Sequence, residues 1–70
     1  MKVKLKAEVI RELLVEKNMI LGEFAKALGI SSAYLSQLLN HDRGASAAMR
    51  KRIQAMFPEV KFNKLFQIDK

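Results

Sequence analysis

The stretch ALGISSAYLSQLLN, residues 27 to 40, contains no charged residue. The chain around it carries thirteen Lys and Arg and seven Asp and Glu in seventy residues. On a helical repeat, Leu35, Leu38 and Leu39 fall on one side and Ala33, Ser36, Gln37 and Asn40 on the other. A water-facing helix surface usually bears long charged side chains, and these are short. Their chemistry is hydrogen bonding: the amides of Gln37 and Asn40 each offer donors and an acceptor, and Ser36 a hydroxyl. That is recognition chemistry, and nothing elsewhere supplies catalysis. There is no nucleophile–base–acid set, no phosphate loop and no carboxylate pair, so the chain does not read as an enzyme. His41 is the one histidine and cannot build a metal site unless several carboxylates converge on it, so no metal or cofactor is expected. The absence of cysteine excludes disulfides and thiolate metal sites.

Composition narrows the class of partner. The net charge of +6 in so short a chain points to a polyanion. Half the residues are hydrophobic, which favours a packed globule over disorder. Seventy residues make one domain, residues 1–70, with a small core. No apolar run reaches the length of a signal peptide or membrane span, and cysteine-free composition fits a reducing cytoplasm.

The elements that must position residues 33–40 follow from period and breakers. MKVKLK alternates lysine with Met1, Val3 and Leu5, an extended arm or edge strand. A first helix near 7–17 has Val9, Ile10, Leu13 and Leu14 inward, Glu8, Glu12 and Glu16 on another face, and Asn18 as a stop. A second helix over 21–28 turns Phe24, Ala25 and Leu28 inward. Gly29 then suits a left-handed helix end, and Ser31 caps a third helix over 32–40. Ile30 and Leu35 fit a hydrophobic staple across that cap. The result is two short helices joined by a tight turn, a helix-turn-helix. Ser46 caps a fourth helix, about 46–56, with Met49, Ile53, Met56 and Phe57 inside, and Pro58 ends it. Residues 61–70 allow a last turn around Phe62, Leu65 and Phe66, with Ile68 then able to pair with the N-terminal arm.

Residues 21–40 resemble the core of the Cro/repressor-type, or XRE-like, helix-turn-helix family. Ala25, Gly29 and Leu35 stand at the family's small, turn and plug positions, and Phe24, Leu28, Ile30 and Leu38 at its buried ones. The likeness extends over about 5–66, including LSQLLNHDRGAS and FNKLF. It implies a compact all-α, lambda-repressor-like domain of four to five helices. The sequence departs from the pattern in places. Ile20 and Leu21 replace the usual hydroxyl cap and glutamine of the second helix. Leu14 and Leu39 replace a buried arginine–glutamate pair, a swap that apolar packing tolerates. His41 and Asp42 stand where glycine and a basic residue are common.

The function this resemblance implies is sequence-specific binding of double-stranded DNA by a small transcriptional regulator, the third helix lying in the major groove. Base-reading positions carry over to Ser32, Ala33 and Gln37, with Ser36 and Asn40 beside them. Gln37 can bond adenine on two edges and Ala33 can pack on a thymine methyl. Phosphate contacts fall to Arg43 first, then Arg50 and Lys51, then Lys26. Tyr34 either bonds a phosphate through its hydroxyl or packs its ring on the second helix. Lys2, Lys4 and Lys6 form either an arm on DNA or a charged guard on an edge strand. Arg52 and Lys64 read as solvated charges. A homodimer on half-sites roughly 34 Å apart would use Phe62, Phe66 and Ile68 of the C-terminal half, unless these only complete the core. The rival is a protein-docking module of the same fold, favoured by the missing glutamine and by Asp42.

Overall fold

In the computed structural model, which describes residues 1–69, the order is β1 (Lys2–Leu5), α1 (Ala7–Glu16), α2 (Leu21–Leu28), α3 (Ser32–Leu39), α4 (Ala47–Met56), α5 (Phe62–Leu65) and β2 (Phe66–Asp69). None of these helices is long and apolar enough to cross a membrane.

Three of the helices end alike. Asn18, Gly29 and His41 take φ of 55°, 75° and 65°. In each case the left-handed residue and the one after it donate back into the last turn. Met19 N–H reaches Leu14 O at 2.9 Å, Ile30 N–H reaches Ala25 O at 3.0 Å and Asp42 N–H reaches Gln37 O at 2.9 Å. These bonds satisfy helix-end carbonyls and reverse the chain within two residues. Asn18 and Gly29 announce such ends by residue type; His41 does not. At the opposite ends, Ser31 Oγ accepts from Tyr34 N–H and Ser46 Oγ from Met49 N–H. Ser46 is thus the cap of α4 and lies outside the helix, and Asn40 likewise closes α3. Helix α2 has no hydroxyl cap. Glu23 accepts the Ile20 N–H at 3.0 Å, the return half of a capping box, and isoleucine has no oxygen to make the other half.

The core is wholly apolar, with no buried polar or charged residue among those described. It joins Ile10 and Leu14 of α1, Phe24, Ala25 and Leu28 of α2, Leu35, Leu38 and Leu39 of α3, and Met49 and Ile53 of α4. Leu14 and Leu39 both lie inside it.

The all-α expectation is corrected by a two-stranded antiparallel sheet. Val3 faces Ile68 and Leu5 faces Phe66 in the β1–β2 register. The pairing considered for Ile68 is therefore present. The reason is burial: Leu5 and Phe66 are 1 % and 2 % exposed, and two adjoining chain segments that sink a residue into the core must satisfy their backbone groups by pairing. Lys4 on the outer face bonds Asp69 at 2.9 Å and holds the Asp69 carboxyl below its usual range.

Candidate nucleic-acid interface

Ser32, Ala33, Ser36, Gln37 and Asn40 are all exposed, while Leu35, Leu38 and Leu39 of the same segment are buried. The five residues singled out for base reading thus lie on the outward side of a helix anchored by its other side. Two devices hold the end of α2, one toward α3 and one toward α4. One is the turn itself, Gly29 at φ 75° followed by the Ser31 cap. The other is Arg52, whose guanidinium donates to Leu28 O at 3.2 Å. Sequence reasoning made Arg52 a solvated charge; the tertiary structure makes it a tie from α4 to the last carbonyl of α2. No local signal marks it, because the bond spans twenty-four positions.

A β-carbon added at Gly29 would meet nothing closer than 3.9 Å. Space is therefore not the constraint; the left-handed backbone is. Gly29→Ala is expected to cost about 1–2 kcal/mol, and Gly29→Asn appreciably less, measured by urea denaturation followed by circular dichroism. Equal stability of both variants would mean that the turn does not need a positive φ.

The far end of α3 is tied to β1. His41 Nε2 lies 2.8 Å from Leu5 O, Lys2 Nζ donates to His41 O at 3.1 Å, and Ala45 N–H donates to Val3 O at 2.8 Å. Gly44 passes so close that a β-carbon there would stand 2.9 Å from Lys2 Cγ and 3.3 Å from Val3 O. All three arm lysines are engaged within the molecule: Lys2 as above, Lys4 with Asp69, and Lys6 with Asn63 O at 2.8 Å. That geometry fits a guarded strand edge better than a free arm.

The expected phosphate contacts divide. Arg43 is exposed, with its guanidinium carbon 5.8 Å from the centre of the Tyr34 ring. Tyr34 is half-buried and packs on the core, so its ring serves α3 whatever its hydroxyl does. Lys26 and Lys51 are exposed. Arg50 is half-buried and donates to Ala45 O at 3.1 Å; part of its guanidinium is committed to the chain's own loop. His41 belongs to the fold, as helix end and strand tie.

One surface feature was not legible beforehand. Ile20 and Leu21, where the resemblance expected a polar cap and a glutamine, are 69 % and 37 % exposed. With Val15, 75 % exposed, they edge an apolar hollow of about 370 Å³ between α1 and α2, closed on one side by Arg11. Comparison of the chain with protein-family models, curated proteins and solved structures returns no match.

Proposed function

We propose that this protein is a lambda-repressor-like helix-turn-helix domain that binds double-stranded DNA sequence-specifically and regulates transcription, as a repressor or Cro-like switch. One observation carries the reading. An uncharged helix face of Ser32, Ala33, Ser36, Gln37 and Asn40 stands fully outward on a helix set by a tight Gly29 turn, in a chain of net charge +6. Short side chains let the helix axis approach base edges, and Gln37 supplies the donor–acceptor pair that matches adenine. Arg43, Lys26 and Lys51 are free to meet phosphates. A regulator reading few base pairs gains specificity by pairing as a two-fold dimer.

Selection of the protein on a randomised duplex pool, with Gln37→Ala in parallel, tests this. A palindromic motif is expected, and Gln37→Ala should relax it at one base pair per half-site, at a cost of about 1–3 kcal/mol. No enrichment would defeat the reading. The second reading, a protein-docking module, has one observation in its favour: the apolar hollow at Val15, Ile20 and Leu21 occupies the end of α2 where a DNA backbone contact was expected.

A further inference from the structure

The apolar face of the sheet extends past the core it covers. The ladder alternates, and Lys6 N–H bonds Leu65 O, so Lys4–Gln67 and Lys2–Asp69 are the hydrogen-bonded pairs. Val3–Ile68 and Leu5–Phe66 are the close side-chain pairs between them. Leu5 and Phe66 seal the core. Val3 and Ile68 overhang it. Ile68 is 47 % exposed, and beside the pair stand Met1 and Phe62, at 95 % and 39 %, around a hollow of about 520 Å³ lined also by Ala45.

Cations rim this hollow. Lys2 and Arg50 line it, and an adjoining hollow of about 230 Å³ shares Arg50 and Phe62 and adds Lys51. Among the described residues no carboxylate lines either hollow; the nearest, Asp69, faces Lys2 across the ladder and is bonded to Lys4. The backbone edge alongside is open too. The outer carbonyls of β1 are taken by Ala45 N–H and the His41 ring. On β2, Ile68 N–H, Ile68 O and Phe66 O point away from β1, and no further strand pairs there among the described residues.

We propose that this groove and strand edge receive an extended segment of a partner protein in which apolar residues alternate with carboxylates. An added strand satisfies the open backbone groups, while every second side chain enters the hollow. Carboxylates on such a segment meet the exposed Lys51 and the part of the Arg50 guanidinium that Ala45 O leaves free. A second copy of this chain would bring the same cations against one another, which opposes docking. Duplex DNA has the charge but no apolar side chains for Met1, Ile68 and Phe62. The site uses none of Ser32, Ala33, Ser36, Gln37 or Asn40, and it shares only Arg50 and Lys51 with the expected phosphate contacts, so Gln37→Ala should leave the peptide bound as before.

The test is selection of a random peptide display library on the immobilised protein, followed by amide chemical-shift mapping with the winning peptide. Enriched sequences should alternate apolar and acidic residues and shift the amides of Phe62, Phe66 and Ile68. Ile68→Glu should weaken the peptide by about tenfold or more with an unchanged melting curve. Lys51→Glu, on the exposed side of α4, should weaken it several-fold. The proposal is overturned by no enrichment, by basic or non-alternating winners, or by shifts confined to α3. It is equally overturned if sedimentation finds a dimer that Ile68→Glu splits, or if duplex DNA moves the Phe62 and Ile68 amides and the peptide does not.

Discussion

Phe24→Ala is expected to remove a third or more of the protein's folding stability. Phe24 and Phe57 are both 0 % exposed, with ring centroids 5.9 Å apart and planes tilted by 48°. Through them α2 is pinned to the end of α4. Removing a buried phenylalanine costs about 3–5 kcal/mol, part lost transfer energy and part cavity. The whole stability of a domain this size is roughly 4–10 kcal/mol, at the usual ~0.05–0.15 kcal/mol per residue. The substitution therefore removes between a third and all of it. No buried polar network or disulfide compensates, because among the described residues the core has neither. Urea titration by circular dichroism reads the result. Phe62→Ala is the contrast: Phe62 is 39 % exposed and stacks on Phe66 at 4.8 Å, and its loss should cost well under half as much. Equal effects would mean that the helices do not pack as described.

The second large effect is electrostatic. If α3 docks in a major groove, with six to ten phosphates neutralised around it, duplex affinity should fall by roughly 10³–10⁵ between 50 and 200 mM salt. Arg43→Ala should lower the slope of log affinity against log salt by about one, with stability little changed, since its side chain is exposed and its guanidinium carbon stands 5.8 Å from the Tyr34 ring centre. Arg50→Ala is expected to act differently. Its bond to Ala45 O braces the loop that meets β1, so its loss should lower stability together with binding. A slope near zero in the unmodified protein would remove DNA as the partner and leave the Ile20–Leu21 hollow as the better guide to function.

Much of the site is legible in the sequence for a local reason. The breakers between α2 and α3, Gly29 and Ser31, act within two or three positions of themselves, and the Leu35–Leu38–Leu39 repeat says which side is buried. The outward set Ser32, Ala33, Ser36, Gln37 and Asn40 follows from that periodicity without knowledge of the neighbours. Caps at Ser31 and Ser46 and the stop at Pro58 are equally local.

What only the tertiary structure decided are bonds between distant positions. Arg52 ties to Leu28 and His41 to Leu5, and the free-looking lysines of the arm fold along the surface to His41, Asp69 and Asn63. A long charged side chain gives no sign in sequence of whether a carbonyl lies within its reach. The strand pairing belongs to the same class. Four residues of alternating pattern at each end of a chain can pair or fray, and burial of Leu5 and Phe66 in a core built by the helices is what selects pairing. The sequence thus determined which helices form and which face of α3 looks out; the arrangement of those helices decided which cations remain free for a partner.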